Sequence, residues 1–546
     1  MDTPSAYAAA ILGNIAASDE LFHHGQPPAL IGTVSGSAAA QRFWQERLDR
    51  SQAAFGAKLT RSLYEDLPVN QAFGLLLLWQ RVREDFQRSE GALFAFVFGE
   101  GSRATPFTEA ECGQKPALAS FARSQEGSWL SVVELALRAF APVESFLRRS
   151  GFDGLVVKWG DEIQIPTRAL SAPDARFANA DVVRFVSMRE MNAADSANKD
   201  WVGVDEHGAV TAFVPRRPLS DMERLADRGV LQRRNGRLFG GVNLGSIAVS
   251  RRLLDLLLEE FEADVNDADA ERKSRPDLDP QLFTALSVAC KPPGPERNES
   301  WKRAQTESAA IRELTCANPD VFDRLCAVID RFENQYARRP YLAALDFEDQ
   351  YWGDIGQHRQ MYDLYMALRE DSERGVITRA LAELTSSPDA SGNVITSGSV
   401  VGASVSVQNS VLIDVEIAAG SIEDSVLIGT RCHRMNARSA FDVQSCAPVM
   451  ELAPRAGCYK VVAAEPVRAA AGERVASVFL ADQAVTLRVH EDTDLRDRAL
   501  HYDVPIGENP MAFADAHREV LKTDPASVEE RRRQKSDEVA RGFGKR

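Results

Sequence analysis

A short run of glycine, serine and basic residues near position 100 has the composition and spacing of a phosphate-binding loop. A strand-like apolar run leads into Gly99, Gly101, Ser102 and Arg103, and Lys115 follows a dozen residues later. A strand that turns through glycines into a helix leaves backbone N–H groups directed at one point, and glycine lets the main chain approach a phosphate closely. We therefore expect these N–H groups to bind phosphate, with Arg103 and Lys115 adding positive charge.

A second candidate group is the carboxylate of Asp161. The apolar run at residues 154–159 predicts a strand, and Gly160 and Asp161 follow it directly. Ligands of α/β folds bind beyond the carboxyl ends of the strands. The pattern therefore predicts that Asp161 lies at the ligand-binding edge of a sheet.

The loop does not continue into the Gly-Lys-Ser/Thr of a Walker motif, and it does not keep the spacing of the dinucleotide fingerprint. It resembles the signature of the sugar-1-phosphate nucleotidyltransferases, also called nucleotide-sugar pyrophosphorylases, in which GxGxR, a Pro-Leu/Phe-Thr segment and a Lys-Pro pair recur in this order. The matching residues are Gly99, Gly101, Arg103, Pro106, Thr108, Lys115 and Pro116. The resemblance implies an α/β fold with a Rossmann-like mixed sheet. It also implies an enzyme that joins a sugar 1-phosphate to a nucleoside triphosphate and releases pyrophosphate.

The resemblance also implies a metal site. The YWGDIG segment at 351–356 is similar to a family element whose aspartate, here Asp354, binds a metal ion, and Asp161 matches the other metal-binding aspartate. Two carboxylates together with phosphate oxygens and water suit Mg²⁺, which is seldom enclosed by protein ligands alone. We therefore expect a magnesium ion between Asp161 and Asp354. Arg103 would act on the leaving pyrophosphate and Lys115 near the α-phosphate.

Two further residues are assigned to the sugar phosphate by resemblance: Asn243, within an Asn-x-Gly segment, and Arg217, as the cation of a hairpin motif. The match departs from the family at Arg216, which stands where a sugar-binding glutamate is usual. A second departure is the spacing, because only about 45 residues separate Lys115 from Asp161. The family usually places a base-reading strand in this interval, so the base contacts are missing or rebuilt.

The departures leave alternatives to the enzyme open. One is a catalytically silent relative that binds a nucleotide sugar as a sensor and oligomerises through its C-terminal region. The other is an acyltransferase, for which His433 is the single candidate in the repeat region described below.

The composition is that of a globular protein with several domains. The chain has 546 residues, of which 44% are hydrophobic and 26% charged, so we expect two to four domains. A net charge of −15 argues against a large nucleic-acid interface, which needs a basic surface. The seven cysteines show no CxxC spacing, which indicates neither a disulfide framework nor a zinc site. Without a signal-like or membrane-length apolar segment, we expect a cytoplasmic protein without a membrane partner.

The hydrophobic pattern divides the chain into four parts. We predict a helical N-terminal extension (1–88), a nucleotidyltransferase catalytic domain (89–385), a left-handed parallel β-helix of hexapeptide repeats (392–446), and a small β region with a charged C-terminal tail (447–546). The β-helix prediction rests on apolar residues that recur at steps of six from Ile395 to Ile413. We expect it to join copies of the chain into a homo-oligomer.

Overall fold

A computed structural model describes residues 5–64, 71–85, 90–97, 101–123, 129–266, 281–384, 386 and 388–543. The N-terminal part contains α1 (Ala6–His23), β1 (Leu30–Ser35), α2 (Ala38–Phe55), β2 (Leu59–Tyr64) and α3 (Gln71–Val82). It is followed by β3 (Ala92–Phe96), α4 (Phe107–Ala110), β4 (Ala119–Arg123), β5 (Trp129–Ser131), α5 (Val132–Arg149), β6 (Gly154–Trp159), β7 (Glu162–Pro166), β8 (Ala180–Glu190), α6 (Ala193–Asn198), β9 (Trp201–Val204), β10 (Val210–Val214), α7 (Leu219–Asp227), β11 (Gln232–Arg234), β12 (Arg237–Ser250) and α8 (Arg251–Asn266).

A mainly helical part comes next and consists of α9 (Phe283–Ala289), α10 (Pro295–Glu307), α11 (Ala309–Ala317), α12 (Val321–Tyr336), β13 (Tyr341–Asp346), β14 (Gln350–Asp354), α13 (His358–Met366) and α14 (Glu373–Leu381). The C-terminal strands are β15 (Val394–Ile395), β16 (Val400–Gln408), β17 (Val411–Ile413), β18 (Glu416–Glu423), β19 (Val426–Ile428), β20 (Arg431–Arg438), β21 (Phe441–Val443), β22 (Cys446–Leu452), β23 (Gly457–Tyr459), β24 (Val467–Ala469), β25 (Glu473–Phe479) and β26 (Ala484–His490). The last helices are α15 (Arg498–His501), α16 (Phe513–Val520) and α17 (Pro525–Arg541).

A mixed sheet in the order β10-β9-β12-β6-β3-β1-β2 forms the centre of the fold. Strands β6, β3, β1 and β2 are parallel, whereas β9, β10 and β12 pair in antiparallel fashion. Residues of β3 are buried on both faces, because Phe94 and Phe96 pack in one apolar cluster while Leu93 and Ala95 pack in the other. The expected α/β fold with a mixed sheet is therefore present, with helices on both faces.

The helical N-terminal extension predicted for residues 1–88 is wrong in one respect, since that segment also supplies β1 and β2 of the central sheet. All six residues of β1 are buried, so the strand lacks the polar–apolar alternation by which a half-exposed strand is recognised. Strand β1 lies directly between β3 and β2. The N-terminal segment is thus part of the sheet, while the domain boundaries themselves stay predictions.

The C-terminal strands from β15 to β25 alternate along the chain between two sheets of parallel strands, and β26 joins the first of these sheets antiparallel to β25. One sheet has the order β15-β17-β19-β21-β23-β25-β26 and the other the order β16-β18-β20-β22-β24. Paired residues in neighbouring parallel strands lie 15 to 17 positions apart, for example Val411 with Val426. The predicted six-residue step is therefore wrong as the repeat of this region, because three such steps would give 18. The parallel pairing also continues past residue 446, to β25.

The turns of this region explain its spacing. Left-handed backbone recurs at the same two corners of successive turns: at Asn409, Asp424, Ser439 and Arg455, and again at Asp414, Gly429, Gln444 and Lys460. Gly, Asn and Asp adopt this conformation most readily. The sequence signal is therefore a pair of corner residues, such as Asn409 and Asp414 or Asp424 and Gly429, that recurs at intervals of about 15 residues.

None of the helices in the described part of the chain combines the length and the apolar character that crossing a bilayer requires.

Candidate active site at the carboxyl edge of the sheet

The two sequence segments singled out above, the glycine loop and the strand before Asp161, begin side by side. Strands β3 and β6 are parallel neighbours, and the N–H of Gly160 donates to the carbonyl of Phe96 at 2.9 Å. In the sheet, β2 lies on one side of β1, whereas β3 and β6 lie on the other side of β1. The strand order thus reverses between β1 and β3, where α/β sheets form a ligand-binding crevice at their carboxyl ends.

The glycine loop is described from residue 101 onward, and Gly99 lies outside the described residues. Gly101 has left-handed backbone with φ of 62°. A Cβ at this position would lie 2.7 Å from the Lys115 Cβ and 2.8 Å from the Thr108 Oγ1. The Thr108 hydroxyl donates to the Gly101 carbonyl at 3.0 Å. Only glycine therefore lets the loop close onto the segment that carries Lys115.

Beyond Gly101 the chain forms a short 3-10 helix, Ser102–Ala104, with Ser102 half-buried and Arg103 exposed. Within the described part of the chain, the Arg103 guanidinium pairs with no carboxylate. A charged group at the rim of the loop without such a pair is available to an anionic ligand.

Lys115 and Asp161 form the central contact of the site. The Lys115 Nζ lies 2.5 Å from the Asp161 Oδ2, and the side chain of Lys115 is only 9% exposed, against 32% for Asp161. Lys115 begins a second short 3-10 helix, Lys115–Ala117. The two segments predicted from sequence therefore meet through a direct ion pair.

Asp354 is brought to the same place by a separate ladder. Strands β7 and β14 pair in antiparallel fashion, with Asp354 opposite Glu162, the residue after Asp161. The Asp354 carboxylate accepts the N–H of Gly356 and the side-chain amide of Gln360, each at 2.6 Å. These two donors fix its orientation, so the structure brings Lys115, Asp161 and Asp354 together from distant parts of the chain.

The electrostatics of this cluster divide its carboxylates into two kinds. Burial acts to raise the pKa of Asp161, but the charge and hydrogen bond of Lys115 outweigh burial and hold that pKa below its ordinary value. Burial raises the pKa of Asp354, the Gly356 N–H opposes this rise, and the negative charge of Asp161 adds to it. Burial and the charge of Asp161 also raise the pKa of Glu162. Asp161 is thus firmly ionised, whereas a further positive charge would stabilise the ionised forms of Asp354 and Glu162 beside it.

Asn243 lies at the same edge of the sheet. In the antiparallel β12–β6 ladder Ile247 pairs with Val157, so the chain from 247 back to 243 runs past the end of β6 toward Asp161. The Asn243 Oδ1 accepts from Arg184 at 2.5 Å and from the N–H of Gly245 at 3.3 Å. The buried Arg184 thus fixes the orientation of the Asn243 side chain.

Arg217 is not brought into this group. Its guanidinium lies 3.2 Å from Glu307 in a cavity of about 590 Å³ at the edge strand β10, and none of Lys115, Asp161 and Asn243 lines that cavity. Arg216 lines the same cavity, but its guanidinium also pairs at 3.0 Å with the carboxylate of Asp200, whose carbonyl accepts the Asn243 N–H at 2.9 Å. The residue regarded as a departure from the family pattern is therefore linked to Asn243, whereas Arg217 is not.

Two residues missed from sequence support the site. Gln360 orients Asp354, and Gln164 donates to Glu162 at 2.9 Å and to the carbonyl of Leu244 at 3.2 Å, joining the β7 strand to the Asn243 segment. Gln360 lies in the first turn of α13, four residues after the YWGDIG segment, and this short distance along the sequence is a signal that could have found it. For Gln164 the sequence carries no comparable signal, because its role depends on the pairing of β7.

Among the described residues, no three or more His, Cys, Asp or Glu side chains converge as a metal-binding group. No protein-family model matches the chain, and comparison with curated proteins finds no significant match.

Proposed function

We propose that this chain is a nucleotidyltransferase that joins a sugar 1-phosphate to a nucleoside triphosphate and releases pyrophosphate. The observation that carries the proposal is the convergence of Lys115, Asp161 and Asp354 beside the glycine loop. These residues lie in three segments, and no local sequence requirement makes the segments meet. A phosphate-binding turn, a buried lysine and two carboxylates are the groups that transfer between two anionic reactants requires.

The same residues fit a magnesium ion. Asp161 and Asp354 offer hard carboxylate oxygens, and Asp354 is held in one orientation by the N–H of Gly356 and by Gln360. Mg²⁺ commonly takes one or two carboxylates and completes its shell with water and substrate phosphates, so a larger protein cluster is not needed. When bound, the ion would neutralise negative charge on the phosphate oxygens.

The residues of the chain account for the remaining requirements of the reaction. The phosphate oxygen of a sugar 1-phosphate is already an anionic nucleophile, so attack on the α-phosphorus needs no general base. Repulsion between the reactants is the main obstacle. Lys115 offsets this repulsion near the α-phosphate and Arg103 at the leaving pyrophosphate, while the loop N–H groups orient the triphosphate.

Strands β1 and β2 support a rebuilt base site. The interval between Lys115 and Asp161 is too short for the usual base-reading strand, but β1 of the N-terminal segment lies next to β3 in the sheet. The crevice between the carboxyl ends of β1 and β3 is next to the glycine loop. We therefore assign the nucleobase to the N-terminal segment.

The sensor alternative is favoured by one specific observation. Lys115 is paired directly with Asp161, so in this arrangement the cation neutralises a carboxylate rather than a phosphate. A protein that binds a nucleotide sugar without turnover would keep such a pair. In the enzyme, the triphosphate and the ion would separate Lys115 from Asp161.

We further propose that the alternating parallel sheets form a β-helix that joins copies of the chain. Strand β16 is at the end of its sheet, and in the described residues only β18 pairs with it. From residue 390 to residue 413 the sequence contains no charged residue. Edge strands of monomers are usually protected by charge or proline, so an uncharged edge favours pairing with a second copy.

A coupled pyrophosphate assay tests the function. The protein is incubated with Mg²⁺, each of the four common nucleoside triphosphates and a panel of sugar 1-phosphates. Release of pyrophosphate that depends on both substrates, and that falls at least 10²-fold in Asp354→Asn, is the expected result. Binding of a nucleotide sugar without pyrophosphate release would establish the sensor, and absence of both would refute the proposal.

A further inference from the structure

The segment between the glycine loop and Lys115 is buried against the C-terminal part of the chain. Helix α4 lies in this segment, and its Phe107 is fully buried, with its ring 5.2 Å from that of Tyr459 and 6.1 Å from that of Phe441. Both partners belong to the parallel-sheet region, about 340 residues later. The phosphate loop is thus supported by an element outside the central sheet.

Two buried charges make the most specific contact at this junction. The Lys460 Nζ lies 2.7 Å from Glu111, and the two side chains are 7% and 5% exposed. The Tyr459 hydroxyl also donates to Glu111. Buried charges are retained only where they are closely paired.

The backbone conformation of Lys460 is set by its place in the turn of the parallel sheets. Lys460 occupies a left-handed corner, with φ of 50°, where the preceding turns have Asp414, Gly429 and Gln444. Lysine has no intrinsic preference for this conformation, and such strain persists where surrounding contacts impose it. The turn of the parallel sheets imposes it here, because Gln444 has the same conformation at the preceding corner.

Helix α17 adds a second attachment. Arg532 donates to the carbonyl of Ala110 at 2.5 Å and pairs with Glu529 at 2.6 Å. Glu529 is also 3.7 Å from Lys460. Alternating charges therefore form a row that runs from Glu111 through Lys460 and Glu529 to Arg532. The row begins at Glu111 and ends at the carbonyl of the adjacent Ala110, so both of its ends hold the same short segment.

Residues 110 and 111 are linked directly to the phosphate site. The N–H of Gln114, next to Lys115, donates to the Glu111 carbonyl at 2.9 Å, and the N–H of Gly113 donates to the Thr108 carbonyl at 2.9 Å. Thr108 in turn binds the carbonyl of Gly101. Displacement of this short segment would therefore move Gly101 and Lys115 together.

We propose that Lys460 and Arg532 are positioning residues that hold the glycine loop and Lys115 in the geometry that binds a nucleoside triphosphate. The inference rests on the proposed function for its ligand, but the attachment itself is a property of the fold. A displacement of about 1 Å at a reacting group can cost 10²-fold in rate. The C-terminal region therefore acts on turnover through this contact.

The test compares Lys460→Met with Arg431→Met in the full chain. Arg431 also joins the parallel sheets to α17, through Asp537 at 2.9 Å, and its other ion pair is with Glu416, so both of its charged partners lie outside residues 101–118. Two properties are measured: hydrogen exchange of peptides from 101–118, and the dissociation constant of inorganic pyrophosphate with Mg²⁺. Thermal unfolding is followed for both variants.

Lys460→Met is expected to increase exchange in 101–118 and to weaken pyrophosphate binding about tenfold or more, and Arg431→Met is expected to change neither. Lys460→Arg, which keeps the charge, is expected to retain normal exchange and normal pyrophosphate binding.

Equal effects of the two methionine variants, or no effect of Lys460→Met, would overturn the inference. If Lys460→Met does not fold, Arg532→Gln is judged by the same criteria. If the wild-type protein neither binds pyrophosphate nor turns over, the proposed function fails, and the exchange data still decide whether the attachment exists.

Discussion

Replacement of Lys115 by methionine is the most informative single change in the site. Methionine keeps most of the volume of the buried stem and removes only the charge, so packing around Gly101 is preserved. We expect kcat to fall about 10²-fold while the protein remains folded.

The magnitude follows from the burial of Lys115. At an effective dielectric constant of about 20, a unit charge about 4 Å from a phosphate contributes about 4 kcal/mol, and removal of one preorganised donor typically costs 10²- to 10³-fold in kcat. The lower figure applies here because Asp161, the partner of Lys115, is 32% exposed and solvent screens part of the charge. For the same reason the loss of folding stability should be about 1–2 kcal/mol, below the cost of breaking a fully buried pair.

The assay is the coupled release of pyrophosphate at saturating substrate, with thermal unfolding measured in parallel. Lys291→Met is the matched control, because Lys291, in the loop between α9 and α10, also forms an ion pair, with Glu296 at 3.1 Å, outside the candidate site. The control is expected to keep normal kcat. A reduction of less than fivefold in Lys115→Met, or an equal reduction in Lys291→Met, would refute the assigned role of Lys115.

Three other predictions concern the loop, the parallel sheets and assembly. Gly101→Ala should reduce kcat at least tenfold, since its Cβ would meet Lys115 and Thr108 at under 3 Å in left-handed backbone; unchanged kcat would contradict this. Burial raises the pKa of Asp442 to about 6, so the folded state holds this proton more tightly than the unfolded state. Stability should therefore fall by on the order of 3 kcal/mol as the pH rises from about 4 to 6, and urea unfolding of Asp442→Asn should lack this fall. Ser406→Lys, on the edge strand β16, should give a monomer by light scattering, whereas Ser421→Lys, its register partner on β18, should leave the assembly unchanged. A monomeric wild-type protein would contradict the last prediction.

Strands with a continuous apolar run and a clear stop could be predicted closely from sequence. The predicted strand 154–159 coincides with β6, and the apolar run before Gly99 overlaps β3. The sequence does not predict strand β1, because this strand has only six residues, is wholly buried, and has Gly32 and Thr33 within its apolar run. Such a run does not differ in periodicity from a helical segment.

The site could be predicted in part. Gly101 and Lys115 lie close together in sequence, and the strand before Asp161 fixes its position at the sheet edge. The meeting of Asp161 with Asp354 depends on the β7–β14 ladder, which joins residues almost 200 positions apart and leaves no local signal. Arg217 is assigned by resemblance alone, and its contact with Glu307 arises from the packing of α10, which that resemblance does not cover.

The prediction of a six-residue repeat in the C-terminal region is wrong because Ile395 and Val401 lie at the open end of the parallel sheets. Burial does not constrain the sequence there as it does at Val411, Val426 and Phe441.

The central claim is that Asp161 and Asp354 hold one ion together with the phosphates of the substrate. The most direct measurement is the binding of Mn²⁺, as a paramagnetic substitute for Mg²⁺, by electron paramagnetic resonance in the presence of inorganic pyrophosphate. The wild-type protein should bind one Mn²⁺ per chain, and Asp161→Asn and Asp354→Asn should each weaken that binding at least tenfold, with no further loss in the double variant. Undiminished Mn²⁺ binding in either single variant would contradict the claim.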